Sequence, residues 1–379
     1  MLSLEKKNKK MHAAVFYGPN NIVNEEVSYN HNNKKVGGGG QGVSLKVNAC
    51  AVCGYDARVF RNGHQKVTPP VILGHEICGE IEKDVVITET ANNIRTQRII
   101  KAGSRVAVSP IIPCLECRYC YHKQYNLCSK SKEIGSSLDG GFAEYVRLPE
   151  KIVKIGGLVS VPNNLSDEEA TLLEPLACCL NGFLQIGPIT EEKTTVAILG
   201  DGPIGLLHLQ ISKKLYGAKT IVVGKIAHRI ERAKLLGADA VTSLSGDNGD
   251  HTDNKALRDA LDFTEGVGAN VIVIATSDPA ALGFAQKIAS KNSRINIFAG
   301  VRTGNSFSLD PNWLHYNQIT ITGSFSSVPN LLQQAAILAG NGQISLSKII
   351  THRYSLNKIK EAILATENCY GLRVVLDDF

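Results

Sequence analysis

Hydrophobic and polar residues follow two different patterns along the chain. The first third contains short alternating runs, such as residues 43–47 and Arg105–Val108, which are typical of half-buried strands between turns. From Thr195 onward, apolar runs alternate with amphipathic segments, beginning with a strand at Thr195–Leu199 and a helix at residues 204–216. The two patterns predict an irregular β-rich domain and a parallel, doubly wound α/β sheet.

The same periodicity predicts the later elements. We expect strands at residues 220–223, 270–275, 294–299, 318–322, 349–354 and 372–376, and helices at residues 227–236 and 356–367.

Composition places the chain among soluble globular proteins. It has 379 residues, enough for two domains, of which 43% are hydrophobic and 20% are charged. No apolar run approaches the roughly 20 residues that span a bilayer, so we expect no membrane partner.

The net charge of +6 is unevenly distributed. Four lysines and one glutamate lie within residues 1–10, which we expect to be a disordered leader and not a secretory signal. The nearly neutral remainder gives no reason to expect a nucleic-acid partner.

The ten cysteines are clustered and not evenly spread. Cys114, Cys117, Cys120 and Cys128 form a C-x2-C-x2-C-x7-C pattern in a polar loop, which favours a tetrahedral zinc ion. An iron–sulfur cluster is the alternative. In the ferredoxin pattern, however, three residues separate the third and fourth cysteines, and proline follows the fourth. Inert buried thiols are a second alternative. Metal-binding cysteines favour a cytoplasmic protein over a secreted, disulfide-bonded one.

A second set of possible metal ligands is dispersed along the first half. His75 and Glu76 follow a short apolar run, Cys53 lies upstream, and Glu174 precedes another apolar run. One sulfur, one nitrogen and two carboxylates form a donor set suited to catalytic zinc with an open position. Individually, each residue could equally be structural.

A glycine-rich turn separates the strand Thr195–Leu199 from the next helix. Gly200, Gly202 and Gly205 form the G-x-G-x-x-G pattern, with Pro203 and Ile204 opening the helix, as in dinucleotide-binding turns. A glycine turn without a ligand is the alternative.

The next strand ends at a position that usually carries an acid for NAD. Gly224 occupies it here, followed by Lys225 and Arg229. Losing a carboxylate and gaining two cations favours the 2′-phosphate of NADP, unless both cations are simply solvated.

These motifs, in this order, resemble the zinc-containing medium-chain dehydrogenase/reductase family. The resemblance rests on Cys53-Gly54-Tyr55-Asp56, Gly74-His75-Glu76, the four-cysteine segment, residues 139–145, Glu174-Pro175-Leu176 and residues 200–205. The adjacent His75 and Glu76, and the Glu-Pro-Leu segment, are similar to the sorbitol and threonine dehydrogenase branches.

The resemblance implies a domain plan. A GroES-like catalytic domain would occupy residues 11–177, with a four-cysteine zinc lobe at 110–130. A Rossmann NAD(P)-binding domain would follow at 178–326, and residues 327–379 would complete the catalytic domain.

The resemblance also implies roles for individual residues. Cys53, His75 and Glu76 would hold a catalytic zinc, with Glu174 as a fourth ligand or a partner of bound water, and the zinc would polarise the substrate oxygen. The four cysteines would hold a second, structural zinc. Backbone at Ala299, Gly300 and Val301 would approach the nicotinamide. Tyr55 occupies the position where the family commonly has a serine or threonine hydroxyl that relays the substrate proton.

The resulting hypothesis is a zinc-dependent dehydrogenase that transfers hydride between a secondary alcohol or ketone and NAD(P). A polyol, cyclitol or amino-sugar-like substrate is favoured, and an amino-alcohol substrate of the threonine type is the alternative. A non-catalytic zinc- and nucleotide-binding homologue is a hypothesis of another class, suggested only by Tyr55. The resemblance also implies a homodimer or homotetramer.

Overall fold

The computed structural model describes residues 9–29, 42–91, 94–189, 194–244, 254–301, 304 and 306–379. They form two compact units. The N-terminal part of the first unit ends at Ala177, and the unit also includes Ser327–Gly342 and Ile350–Phe379. The second unit consists of Cys178–Ser326 and Gln343–Ile349.

Most helices and strands of the N-terminal half are short. Its strands are β1 (Lys10–Gly18), β2 (Asn21–Ser28), β3 (Val43–Val52), β4 (Val71–Ile72), β5 (Glu76–Ile81), β6 (Val85–Ala91), β7 (Ile94–Ile100), β8 (Arg105–Val108), β9 (Ile111–Ile112), β10 (Lys132–Glu133), β11 (Tyr145–Leu148) and β12 (Leu158–Ser160). Its helices are α1 (Gly54–Asn62), α2 (Arg118–Tyr121), α3 (Lys151–Lys154), α4 (Asp167–Thr171) and α5 (Leu173–Ile186).

Longer elements make up the C-terminal half. Its strands are β13 (Thr195–Leu199), β14 (Lys219–Gly224), β15 (Ala240–Ser243), β16 (Ala269–Ile274), β17 (Ala289–Ile297), β18 (Thr320–Gly323), β19 (Ile350–Ser355) and β20 (Arg373–Asp378). Its helices are α6 (Pro203–Tyr216), α7 (Ala227–Leu235), α8 (Asn254–Phe263), α9 (Ala281–Ile288), α10 (Pro311–Asn317), α11 (Pro329–Gly340) and α12 (Ile359–Glu367).

The first unit is built around a seven-stranded, mainly antiparallel sheet. The strand order is β12-β8-β5-β3-β20-β19, and β11 also pairs with β3. The C-terminal strand β20 pairs with β3, which explains how the end of the chain completes the N-terminal domain. The core of this unit is apolar and includes the fully buried Phe16 and Phe142.

The second unit contains a six-stranded parallel sheet in the order β15-β14-β13-β16-β17-β18. This is the Rossmann order, as the alternating pattern predicts. Its central strand β13 is almost wholly apolar because parallel strands are covered by helices on both faces. The long helix α6 begins with Pro203 at its first turn and ends at Gly217, which adopts a left-handed conformation.

Two expected boundaries differ from the structure. Residues 343–349 belong to the second unit, because the side chain of Gln210 on α6 both accepts a hydrogen bond from the backbone N–H of Ser345 and donates one to its carbonyl. The expected disordered leader, residues 1–10, extends too far, because Lys10 already belongs to β1 and pairs with Ser28. Residues 1–8 lie outside the described residues. Within the described part of the chain, no helix combines the length and apolar character of a membrane span.

Candidate active site and metal centres

Four cysteines come together between β9 and β10. The sulfur atoms of Cys114, Cys117, Cys120 and Cys128 all lie within 4.8 Å of one another. Helix α2 begins directly after Cys117 and returns Cys120 to 3.5 Å from it. Sulfur ligands of tetrahedral zinc lie roughly 3.8 Å apart, so the arrangement fits such an ion.

Protonation of this cluster is uneven. A backbone hydrogen bond from Glu116 lowers the pKa of Cys114 to about 6, whereas burial raises the pKa of Cys120 to about 12. Four adjacent thiols cannot all ionise without a neutralising cation, and a divalent metal supplies that charge. Because all four donors come from the protein, the set is closed in the manner of a structural zinc site.

A second cluster brings together Cys53, His75 and Glu76. One potential ligand atom from each lies within 4.8 Å of the others. Cys53 directly precedes α1, and Glu76 opens β5 immediately after His75. The three donors are sulfur, nitrogen and oxygen, the set found in catalytic zinc sites.

Gly74 fixes the direction in which His75 leaves the preceding strand. It adopts a φ of 89°, in the left-handed region, and an added Cβ would lie 2.5 Å from the ring of Phe142. Only glycine fits this turn against the buried aromatic core, so the histidine is held by tight backbone packing.

Buried charges surround the cluster. The guanidinium of Arg373 lies 3.2 Å from Glu76 Oε1 and donates a hydrogen bond to the carbonyl oxygen of Val52, and Arg373 and Glu76 are both almost fully buried. Asp56 accepts a hydrogen bond from the backbone N–H of Cys53 at 2.8 Å and lies 3.6 Å from His75 Nδ1. Such outer partners orient ligand side chains.

The donor atoms themselves support a metal at this position. Glu76 Oε2 is buried and has no hydrogen-bond partner among the described residues. Burial raises the pKa of Glu76, while the charge of Arg373 opposes that shift. A buried carboxylate oxygen beside a thiol and an imidazole fits a zinc ligand, because the metal would supply its missing partner.

Glu174 lies near the cluster without joining its innermost group. It sits in the first turn of α5, is buried, and its charge acts on both Glu76 and Arg373. It is not among the three residues whose ligand atoms lie within 4.8 Å of one another.

Tyr55 borders the cluster from α1. Its ring packs edge-on against His75 with a centroid distance of 5.8 Å. Its hydroxyl lies 3.1 Å from Ser136 Oγ and 3.4 Å from His64 Nδ1. His64 is exposed, so the phenol lies between the half-buried His75 and a solvent-facing histidine.

The glycine-rich turn has the backbone geometry of a phosphate cradle. An added Cβ at Gly205 would lie 2.0 Å from the carbonyl oxygen of Gly200, so the start of α6 packs directly on the turn. At Gly202, the residue preceding Pro203 and Ile204, the nearest atom to an added Cβ is a nitrogen of Arg229 at 3.8 Å. In dinucleotide-binding turns, this helix N-terminus is where the pyrophosphate lies.

The end of β14 differs from the sequence-based expectation. Because residue 224 is glycine, the sequence predicted no carboxylate at this strand end. In the structure, however, the Asp201 side chain extends from the glycine-rich turn to Gly224. Its Oδ2 accepts hydrogen bonds from the backbone N–H groups of Lys225 and Ile226, both at 2.7 Å. Lys225 is not free either, since its ammonium pairs with Asp278 at 2.9 Å.

The expected nicotinamide segment follows β17. Backbone N–H of Ala299 donates to Ile274 at the end of the neighbouring strand β16, and Val301 is exposed. Ala299, Gly300 and Val301 therefore lie at the same carboxyl edge of the sheet as the glycine-rich turn, where ligands of such sheets bind.

Sequence reasoning assigned no role to Arg373, Asp201 or His64. Arg373 carries a weak signal, because a charged residue directly precedes the three apolar residues of the terminal strand. Its partner, Glu76, lies almost 300 residues away in the chain, so only the pairing of β20 with β3 reveals the contact.

Comparisons with known proteins agree with this geometry. Residues 39–157 match the family model of the alcohol dehydrogenase GroES-like domain, and residues 203–339 match that of the zinc-binding dehydrogenase. The chain is 33% identical to a D-arabitol-phosphate dehydrogenase from Enterococcus avium, over 84% of this chain and 85% of that protein.

Two further relatives extend the comparison. An L-threonine 3-dehydrogenase from Pyrococcus horikoshii is 29% identical, over 84% of this chain and 86% of its own length. The crystal structure of a zinc-binding dehydrogenase from Sinorhizobium meliloti, bound to NADP, superposes with a TM-score of 0.79 at 27% identity, covering 98% of this chain and 100% of that one. The chain belongs to the zinc-containing medium-chain dehydrogenase/reductase family, in the branch of the polyol and threonine dehydrogenases, and is an oxidoreductase.

Proposed function

We propose that this protein transfers hydride between a secondary alcohol, of polyol, cyclitol or amino-sugar-like type, and NAD(P). The observation that carries the proposal is the convergence of Cys53, His75 and Glu76 within 4.8 Å in a chain that also contains a glycine-rich dinucleotide turn. When bound there, zinc supplies Lewis-acid polarisation of the substrate oxygen.

The residues around the cluster have distinct tasks in this proposal. Cys53, His75 and Glu76 hold the metal, and Glu174 serves as a fourth ligand or as the acceptor for a water molecule. The charge of Arg373 favours the ionised form of Glu76 against the effect of burial, and Asp56 lies 3.6 Å from His75 Nδ1 as its outer partner. Tyr55 replaces the usual aliphatic hydroxyl and is placed to exchange a proton with Ser136 or His64.

A second zinc ion belongs to the four-cysteine lobe in this proposal. Closed coordination by four thiols gives it a structural role, whereas the mixed donor set near Tyr55 leaves a position for substrate. We therefore expect two zinc ions per chain, and elemental analysis of the folded protein measures that number.

The cofactor is NADP in preference to NAD. Gly224 does not itself carry the carboxylate that usually binds the ribose hydroxyls, although Asp201 reaches the same strand end, and the cations Lys225 and Arg229 follow it in the chain. Charge-assisted bonds to a phosphate contribute roughly 1.5 to 3 kcal/mol each. The ratio of kcat/KM for the two cofactors in the wild type and in the Lys225→Ala, Arg229→Ala double variant tests this preference.

Substrate identity requires a direct screen. Polyols, polyol phosphates, cyclitols and amino alcohols are offered with each cofactor while absorbance at 340 nm is recorded. Turnover of polyol-type substrates supports the proposal, and exclusive turnover of L-threonine supports the amino-alcohol alternative. Absence of turnover with every compound, in protein that contains zinc and binds cofactor, supports the non-catalytic hypothesis.

A homodimer or homotetramer completes the proposal. Strand β18 forms an edge of the parallel sheet, and Tyr316 and Phe325 beside it are 74% and 51% exposed. Light scattering at micromolar concentration measures the assembly, and a monomeric mass contradicts it. A cytoplasmic location is consistent with the absence of a disulfide bond among the ten cysteines, all of which lie in the described part of the chain.

A further inference from the structure

A carboxylate from the glycine-rich turn occupies the end of the second strand of the parallel sheet. Asp201 is buried, and its Oδ2 accepts 2.7 Å hydrogen bonds from the backbone N–H groups of Lys225 and Ile226. These two N–H groups immediately precede helix α7 and would otherwise be available to an anion.

Gly224 is required by this contact. A Cβ at this position would lie 2.5 Å from Asp201 Oδ2, closer than any side chain tolerates. The negative charge of Asp201 therefore lies beside the point from which an acidic residue at position 224 would have extended. The carboxylate at this end of β14 is therefore supplied by residue 201 and not by residue 224.

The surrounding charges are balanced. Lys225 pairs with Asp278 at 2.9 Å, and a guanidinium nitrogen of Arg229 lies 3.8 Å from the Cβ position of Gly202, the residue after Asp201. Two cations and two carboxylates thus face the end of the strand. Any added phosphate meets two attractive and two repulsive charges.

We infer that Asp201 is a specificity-determining residue that weakens binding of a 2′-phosphorylated cofactor relative to its unphosphorylated form. Its charge repels the phosphate, and its hydrogen bonds occupy the two backbone donors that would otherwise bind it. This inference rests on the proposed function, because it takes the glycine-rich turn as the NAD(P) site.

The test is direct measurement of cofactor binding by isothermal titration calorimetry. Dissociation constants for NADPH and NADH are measured in the wild type and in Asp201→Asn. The amide oxygen of asparagine can accept the same two N–H bonds, so the variant removes the charge and keeps the turn. We expect preference for NADPH over NADH to increase roughly threefold or more, as for one charge several ångströms away.

Asp239 offers a matched control at the opposite end of the same strand. Its carboxylate accepts a 2.7 Å hydrogen bond from the backbone N–H of Thr220 and pairs with Lys213. Asp239→Asn also removes a carboxylate charge that hydrogen bonds to the backbone of β14. We expect this variant to leave the ratio of the NADPH and NADH dissociation constants unchanged.

The possible results separate this inference from the proposed function. An unchanged ratio in Asp201→Asn, or a shift toward NADH, overturns the role of Asp201 while leaving the cofactor site intact. Failure of both cofactors to bind the wild type instead contradicts the proposed function. Thermal denaturation confirms folding of each variant, and Asp201→Ser serves if the asparagine variant is unfolded, with the same expected direction.

Discussion

The charge of Arg373 stabilises a carboxylate that its buried position otherwise disfavours. Arg373 and Glu76 are 4% and 1% exposed, and their charged groups lie 3.2 Å apart. Removing one partner of a buried pair leaves the other without compensation, which is costly even where the pair itself adds little.

We predict that Arg373→Met lowers the free energy of unfolding by about 3 kcal/mol, because Glu76 loses its counter-charge. Arg353→Met on the neighbouring strand β19 is the control, since Arg353 is 55% exposed and its pair with Glu168 contributes less than about 1 kcal/mol. Urea denaturation measures both variants. Equal effects of the two substitutions would contradict the role of Arg373.

A second prediction concerns Gly224. In Gly224→Ala the new methyl group would lie 2.5 Å from Asp201 Oδ2, so we expect a loss of about 2 kcal/mol in stability. Gly323 ends β18 in the same way but has open space around its Cβ position, so Gly323→Ala should have little effect. Recovery of stability when Gly224→Ala is combined with Asp201→Gly, which also removes the Asp201 Cβ that would lie 2.6 Å from the new methyl group, would confirm the contact. Chemical denaturation gives all three values.

At the scale of elements, helix α6 contains an unusual buried imidazole. His208 is completely buried against Phe183 and Phe298, and neither ring nitrogen has a hydrogen-bond partner among the described residues. Burial lowers the pKa of His208 to about 3. The neutral ring is therefore a requirement of the folded state.

The lowered pKa of His208 makes the free energy of unfolding depend on pH. The unfolded chain binds a proton near the ordinary histidine pKa of about 6.5, whereas the folded chain does not until the pH approaches 3. His208 therefore contributes stability above pH 6.5 that is lost as the pH falls, at about 1.4 kcal/mol per pH unit.

We predict that His208→Leu removes this component. Between pH 7.5 and 5, the stability difference between the wild type and the variant should change by about 2 kcal/mol in favour of the variant. His228→Leu replaces an exposed histidine on α7 and serves as the control. Urea denaturation at the two pH values measures the change, and parallel behaviour of the wild type and His208→Leu would refute the prediction.

The two cysteine-containing clusters should respond differently to substitution. Cys117→Ser should lower the Tm, because the four-cysteine lobe has few apolar residues and depends on its metal for structure. His75→Ala should reduce turnover by several orders of magnitude and leave the Tm nearly unchanged. Differential scanning calorimetry gives the Tm of both variants, and an assay at 340 nm gives their turnover. If Cys117→Ser lowered only turnover and His75→Ala lowered only the Tm, the assignment of structural and catalytic roles would be wrong.

Most elements could be predicted from the sequence, for a physical reason. Strand β13 and helix α6 carry strong apolar periodicity and lie next to a glycine turn, and the structure confirms both within one residue. The start of β17 is five residues earlier than expected, because its first half, Ala-Ser-Lys-Asn-Ser, is too polar to indicate a strand.

For the whole molecule, the sequence predicted the order of the two folds but not every contact between distant segments. The glycine turn and the cysteine spacing are local and therefore readable. The ion pair of Arg373 with Glu76 and the contact of Asp201 with Gly224 depend on strand pairing and loop direction, which local patterns do not specify. For this reason the sequence indicated the candidate ligands but not the residues that surround them.

In the proposed function, turnover depends on a metal held by Cys53, His75 and Glu76. The most direct measurement follows NAD(P)H formation at 340 nm with a turned-over alcohol while zinc is withdrawn by a chelator and counted by elemental analysis. We expect two zinc ions per chain at the start and loss of activity in step with removal of the more accessible ion, with activity restored by zinc alone. An undiminished rate in protein that retains less than one zinc per chain would contradict it.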